Sequence, residues 1–351
     1  MELDVILEKT LALGGSDVFI IPGSPIVAKV NGQLIKITQE RVLPPDTERL
    51  IRQTYEQALG RDIENLLENG DDDFSFSLKR KGRFRCNAYR QRGSLAAILR
   101  VVTFGLPNPD KLFIPEVVMN LASYRSGMIL VTGSAGSGKT TTLACLVDRI
   151  NTTRMGHIIT IEDPIEYLHP HAMSMVSQRE IHTDASSFES ALRASLRQAP
   201  DVIMLGEMRD SETIQTAITA GETGHLILSS LHTVGAATTV DRIIDAFPAN
   251  QQPQVRVQLS MVLRAVVSQH LLPTLDGGLR PAFEVMTVNS AIQSMIRDGK
   301  THQMDNVIYG GSTQGMMAMD TELARLYREK VISRETALTY ASNPETLARK
   351  L

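Results

Sequence analysis

The 351-residue sequence predicts an α/β protein of two modules: an N-terminal α+β module, then a larger parallel α/β module with a C-terminal helical appendage. Three observations predict it. Strands of period two and short helices alternate over about the first hundred residues, a Pro- and Gly-rich stretch interrupts them, and from Gly127 onward short apolar runs alternate with helical patterns. The length agrees, because 351 residues at about 150 per domain gives roughly two domains.

In the first module, Leu3, Ile6, Leu7 and Leu11 stand at helical spacing, and 18–21 reads as a strand ended by Pro22-Gly23-Ser24-Pro25. Stretches 46–59 and 62–67 read as helices. Phe74, Phe76 and Leu78 alternate, Lys79-Arg80-Lys81-Gly82 turns the chain, and Phe84, Cys86 and Ala88 resume the alternation, which predicts a hairpin. Residues 94–102 supply another strand. The Pro and Gly density of 104–110 marks a linker, with the boundary near 104–114. In the second module, strands are expected at 128–132, 158–161, 202–205 and 226–230. Phe188, Ala191, Leu192, Ser195 and Leu196 mark one face of a helix opened by a Ser186-x-x-Glu189 capping box. Stretches 255–269, 290–297, 321–329 and 333–341 read as the later helices.

Composition removes several classes. With 42% hydrophobic and 21% charged residues, 24 Gly and 15 Pro, the chain is neither collagen-like, coiled-coil nor wholly disordered. No run approaches the roughly 18 apolar residues of a membrane span, and Met1-Glu2-Leu3-Asp4 has neither a basic nor an apolar signal region, so a cytosolic protein is expected. Cys86 and Cys145 alone build neither a disulfide framework nor a four-thiolate zinc site, and read as two buried thiols. A net charge of −3, no Trp and 5% aromatics argue against a dedicated nucleic-acid binder.

The chemistry concentrates in a few segments. Gly133-Ser134-Ala135-Gly136-Ser137-Gly138-Lys139-Thr140 fits the phosphate-binding loop, after an apolar strand and before a helix that starts at Thr141. Its glycines let N–H groups converge on phosphate oxygens, Lys139 reaches the β- and γ-phosphates, and the Thr140 hydroxyl suits Mg²⁺. Val202-Ile203-Met204-Leu205-Gly206-Glu207 is an apolar strand ending in an acid, the form in which a carboxylate holds Mg²⁺ through water. Glu162, Asp163 and Glu166 crowd the end of another strand, where Pro164 stops the strand and one carboxylate is placed to orient the attacking water. His225 and His232 bracket 226–230, and their readings are a structural histidine or a γ-phosphate sensor. Alternation puts Arg83, Arg85, Asn87 and Tyr89 opposite Phe84, Cys86 and Ala88, away from the module's core. Arg100 interrupts an apolar strand and, if buried, requires an anion. Arg85 and Arg100 have two readings, a solvated face and an internal salt bridge respectively, or fingers that stabilise charge on a nucleotide.

The segments 133–140, 160–166, Gly206-Glu207-Met208-Arg209-Asp210 and Gly224-His225 through Leu231-His232-Thr233 resemble, in order and spacing, the Walker A, Asp box, Walker B and His box of the type II/IV secretion and pilus ATPases. The similarity covers essentially the whole chain and is closest to the retraction ATPases. The family's four-cysteine zinc insert, typical of extension and secretion motors, is missing, and Ala291-Ile292-Gln293-Ser294-Met295-Ile296-Arg297-Asp298-Gly299-Lys300-Thr301-His302-Gln303 resembles the C-terminal retraction motif. Three departures stand out: Gln293 for the motif's usual Arg, Ser134-Ala135 for Pro-Thr, and Asp17-Val18-Phe19 for Asp-Leu-His.

The resemblance implies a RecA-like P-loop ATPase domain at 115–351, with its C-terminal helical region from about 281, a linker at 105–114, and a PAS-like α+β domain at 1–104. It implies ATP and Mg²⁺ as ligands, with Gly133, Ser134, Ala135, Gly136, Ser137, Gly138, Lys139, Thr140 and Thr141 around the nucleotide and Thr140 and Glu207 at the metal. It assigns Glu166 as catalytic glutamate, Glu207 as the Walker B glutamate, His232 to the His box, and Arg85 and Arg100 as the arginines that complete the site. The expected assembly is a homohexamer driving type IV pilus retraction and twitching from the cytoplasmic face of the inner membrane. The pilus platform protein is its partner and its only membrane attachment, and no nucleic acid is expected. The alternatives are an extension or type II secretion motor, an accessory retraction motor, a RecA-like nucleic-acid translocase, and a regulatory nucleotide-binding scaffold without turnover.

Overall fold

The computed structural model describes residues 2–30, 32–58, 61–78, 81–102 and 105–351. Lys79 and Arg80 of the expected hairpin turn, Leu59 at the end of an expected helix and Phe104 of the expected linker lie outside the described residues. The chain forms two compact units. The first comprises Met1–Gly105, Pro164–Leu168 and Glu180–Asp184; the second comprises Leu106–Asp163, His169–Arg179 and Ala185–Leu351.

In the first unit the elements run α1 (Leu3–Ala12), β1 (Asp17–Ile20), β2 (Val27–Val30), β3 (Gln33–Lys36), α2 (Pro44–Gln57), α3 (Glu64–Asn69), β4 (Asp71–Leu78), β5 (Gly82–Gln91) and β6 (Ser94–Val102). The strands form one antiparallel sheet in the order β3-β2-β1-β6-β5-β4. Leu3, Ile6 and Leu7 of α1 and Leu50, Ile51 and Tyr55 of α2 share a core with Phe74, Phe76, Phe84, Cys86, Ala88 and Leu99 of the strands. The pleat of β5 therefore turns Arg83 and Arg85 to the other face. Strands β2 and β3 are absent from the sequence reading. Every residue of β3 is exposed, so it carries no buried alternation to read.

The second unit begins with α4 (Glu116–Met119), β7 (Gly127–Thr132), α5 (Lys139–Thr153), β8 (His157–Glu162), β9 (Met175–Glu180), α6 (Phe188–Ser195), β10 (Val202–Leu205), α7 (Ser211–Glu222) and β11 (Leu226–Leu231). It continues with α8 (Ala236–Asp245), α9 (Gln252–Val262), β12 (Leu263–Pro273), β13 (Leu279–Thr287), α10 (Ser290–Asp298), α11 (Met304–Gly310), α12 (Met319–Arg328), α13 (Arg334–Thr339) and α14 (Pro344–Ala348). The sheet order is β13-β12-β7-β11-β10-β8-β9. Strands β12, β7, β11, β10 and β8 are mutually parallel, and β13 is antiparallel to β12. Ile129, Val131, Leu228, Met204 and Val267 from the sheet and Leu143, Leu146 and Ile150 from α5 fill one core layer.

Three expectations fail here. Residues 263–269 continue not as helix but as strand, because Ala265 to Ser268 pair with Ile129 to Thr132 of β7, and that pairing outweighs an apolar run whose period is ambiguous. Residues 279–287 are likewise strand, so the C-terminal helical region, expected from about 281, starts at Ser290. The cap of α6 is also shifted by one residue: Ser187, not Ser186, accepts the Ser190 N–H. Helices α12 to α14 close over the far ends of β12 and β13 through Leu272, Ala282, Leu323, Leu326, Ile332 and Leu347.

Candidate functional site

The phosphate loop follows β7, a fully buried strand between β12 and β11 in the middle of the sheet. Ligands of parallel α/β sheets sit at such carboxyl ends. Gly133, Gly136 and Gly138 adopt φ of 146°, 77° and 90°, which side-chain-bearing residues rarely tolerate. Lys139 is buried, and its Nζ donates to the carbonyls of Gly133 and Ser134 at 3.0 and 2.9 Å, drawing the loop into a ring. Ser134, Ala135 and Gly136 are exposed, whereas Ser137 is buried and Thr140 and Thr141 are half-buried.

The loop opens helix α5, 15 residues long, whose N-cap Gly138 supplies no side-chain acceptor. Helices α6 and α7 differ, with Ser187 and Asp210 accepting N–H groups of their first turns. The first-turn donors of α5 and the positive end of its dipole thus meet an exposed glycine-rich loop, an arrangement that fits phosphate oxygens.

Two strands from the loop, about 10 Å along the sheet edge, β10 ends and Gly206 donates its N–H to Ile161 O at 2.8 Å. This holds Glu207 at the same carboxyl edge. One Glu207 oxygen meets Arg209 at 2.7 Å and the other meets His232 Nε2 at 3.3 Å. The Glu207 contact raises the Arg209 pKa. The structure therefore brings Glu207 and His232 together, with Arg209 as a third member that the sequence reading did not single out. His225 takes its structural reading, since Nδ1 meets Ala220 O at 3.0 Å and Thr223 Oγ1 at 3.2 Å at the end of α7.

The three crowded carboxylates separate. Glu162 is buried and accepts from Thr160 Oγ1 at 2.6 Å and Gln178 Nε2 at 3.2 Å, whereas Asp163 and Glu166 are exposed. Glu166 lies on Pro164–Leu168, a segment of the first unit. Buried Glu180 ties that segment down, accepting the Ile165 N–H at 2.9 Å and Arg83 Nη2 at 2.7 Å. Sequence reasoning missed this anchor, which joins residues far apart in the chain.

Arg85 and Arg100 stand directly opposite each other on β5 and β6, and Arg100 stands opposite Asp17 on β1. Adjacent like charges repel, and each arginine has a carboxylate: Arg85 pairs with Asp73 at 2.5 Å and Arg100 with Asp17 at 2.9 Å. Arg100 is not buried. Its side chain is 68% exposed against 10% for Asp17, so the arginine covers the carboxylate and its requirement for an anion does not come from burial. Cys86 and Cys145 are both buried, and burial pushes the Cys145 thiol up to about 12. Among the described residues, no group of three or more His, Cys, Asp or Glu is placed to hold a metal ion. Thr140 and Glu207 suit an ion that takes its remaining oxygens from phosphate and water.

Residues 97–350 match the model of the type II/IV secretion system protein family. The chain belongs to that family. It is 39% identical over 345 residues to the type IV pilus retraction ATPase PilT of Pseudomonas aeruginosa, covering 98% of this chain and 99% of that one. It is also 39% identical over 348 residues to the type IV pilus ATPase PilU of the same organism, covering 99% of this chain and 90% of that one. Among solved structures, the pilus retraction motor PilT with bound ADP superposes with a TM-score of 0.91 at 43% identity, covering 99% of both chains. The chain is thus a PilT-like ATPase of the type II/IV secretion family, with that family's RecA-like fold.

Proposed function

We propose that this protein hydrolyses ATP with Mg²⁺ in a homohexameric ring and that the work retracts a type IV pilus, acting on a platform protein at the cytoplasmic face of the inner membrane. The observation that carries the reading is the phosphate loop at the open N-terminus of α5, in a chain similar along its whole length to a retraction motor. In this reading Lys139 and the loop N–H groups bind the β- and γ-phosphates, and Thr141 lies beside them. Thr140 and, through water, Glu207 hold Mg²⁺, which neutralises developing phosphate charge. Glu166 orients the attacking water, His232 reads the γ-phosphate, and Arg85 and Arg100 stabilise charge in the transition state. Among the described residues no helix is long and apolar enough to cross a membrane.

The equal identity to PilU favours one second reading, an accessory motor that works beside a principal retraction ATPase. Deleting the gene in its host tests both. Loss of retraction leaves pili assembled and abolishes twitching; bald cells would instead assign an extension motor. Loss of twitching that a Lys139→Ala copy restores would identify an accessory role independent of hydrolysis.

A further inference from the structure

Strand β12 runs parallel to β7 with Ser268 beside Thr132, so the next residue, Gln269, emerges against the phosphate loop. Gln269 is a buried polar residue, 4% exposed. Its main-chain carbonyl lies where a side chain at Gly133 would have to stand, and its Nε2 is 2.8 Å from the position of a Cβ at Gly138. Its Oε1 accepts a hydrogen bond of 2.7 Å from Thr142 Oγ1, in the first turn of α5 and fully buried. One residue thus touches both glycines that bracket the loop and the helix that follows it. Glycine at 133 and 138 serves the approach of β12 as well as the approach of phosphate.

A loop with three glycines at positive φ has much backbone freedom to lose when it closes on an anion. A contact that fixes the loop beforehand removes that cost from binding. We propose that Gln269 is a positioning residue for the nucleotide: through Thr142, Gly133 and Gly138 it holds the phosphate loop in its binding conformation. This inference rests on the nucleotide-binding reading of the loop and goes beyond it by naming a residue outside every motif of the chain.

The test is calorimetric titration of the full chain with ADP and Mg²⁺, together with steady-state ATP hydrolysis, for Gln269→Met and Thr142→Val. Both substitutions keep volume and remove the hydrogen bond. Each is expected to raise the ADP Kd and the ATP KM about tenfold, the effect of one buried hydrogen bond. kcat should change much less, because the lost interaction is shared by ground and transition states. The double variant should be no worse than either single one. A purely structural role would lower the melting temperature and leave Kd unchanged, and wild-type Kd in both variants overturns the proposal. Equal loss in Ser268→Ala, the strand neighbour that accepts from Gly235 N–H at 2.9 Å, would assign the effect to strand packing and also overturn it. If Gln269→Met does not fold, Thr142→Val decides alone. A wild-type chain that fails to bind ADP defeats the nucleotide reading itself, which is a separate result.

Discussion

At the scale of single residues, Lys139 and Glu166 should fail in different ways. Lys139 is built into the loop through two carbonyls, so Lys139→Ala loses a charge-assisted phosphate contact and part of the loop's own order. ADP affinity is expected to fall about 10- to 100-fold by titration. Glu166 is exposed on a segment anchored by Glu180, and a carboxylate that orients water is not needed to bind nucleotide. Glu166→Gln should keep ADP affinity and lose about 10²- to 10⁴-fold in kcat. Undiminished turnover would transfer the role to Asp163, the other exposed carboxylate of that loop, since Glu162 is already bonded to Thr160 and Gln178. The two arginines allow a sharper separation. The Arg85–Asp73 pair is exposed and worth about 0–1 kcal/mol, whereas Arg100 covers the largely buried Asp17 carboxylate. Arg85→Ala should therefore shift melting by no more than about 2–4 °C, Arg100→Ala should shift it further because it uncovers Asp17, and a transition-state role costs about 10³-fold in kcat in either. A large melting shift with normal turnover would reduce Arg100 to the partner of Asp17.

Among the elements, α10 and the turn after it carry the segment that resembles the retraction motif, and burial divides that segment. Ile292 and Ile296 are buried, Met295 and Gln293 are half-buried, and Ala291, Arg297, Lys300 and His302 are exposed. Ile292→Ala should destabilise by about 2–5 kcal/mol, seen as a lower melting temperature with activity lost alongside. Among the described residues Arg297 bonds locally, to Ser294 at 3.0 Å, so Arg297→Ala and Lys300→Ala should leave a folded ATPase. If the exposed edge couples hydrolysis to retraction, the double variant hydrolyses ATP and fails to restore twitching to a deletion strain; normal twitching would show that α10 serves packing. The same contrast explains what the sequence made legible. The phosphate loop, the β10 acid and the exposed face of β5 were readable because their chemistry or period is local. Strand β12 was not readable beyond Val262, because Leu263, Ala265, Val266 and Val267 form a run whose pairing with β7 no local rule discloses. Gln269 was hidden with it. The Glu180 anchor of Arg83 and Ile165 was equally invisible, since it depends on long-range packing.

Across the whole molecule, Asp17 and Asp72 in the first unit and Glu284 in the second are perturbed in opposite directions, and acid should therefore act with opposite sign on the fold around them, whereas the buried His169, held down to about 4 by burial, loses stability as the pH falls below the usual histidine value. In the first unit, burial pushes Asp72 up, but hydrogen bonds from Arg61, Tyr55 and Asn65 more than offset it and leave its pKa lowered. Asp17 is lowered in the same way, burial being outweighed by Arg100 and Ser16. Such groups bind fewer protons folded than unfolded in the window below the ordinary aspartate value of about 3.9. Their stabilisation is complete above that value and is lost as pH falls through the folded pKa. In the second unit, burial raises the pKa of Glu284, which Asp305 reinforces although the Ala236 N–H opposes it, and burial also raises the half-buried Asp148. These groups bind more protons folded than unfolded above their ordinary values, so lowering the pH toward those values stabilises the fold around them. Hydrogen exchange read peptide by peptide should show protection of β13 and α8 increasing over that range while β4 and α3 stay constant. Below about pH 4, β4 and α3 should open first. Asp72→Asn should flatten the acid response of the first unit, and Glu284→Gln should remove the gain in the second. Unchanged acid responses in Asp72→Asn and Glu284→Gln would mean that the Asp72 network and the Glu284 carboxyl do not govern acid stability.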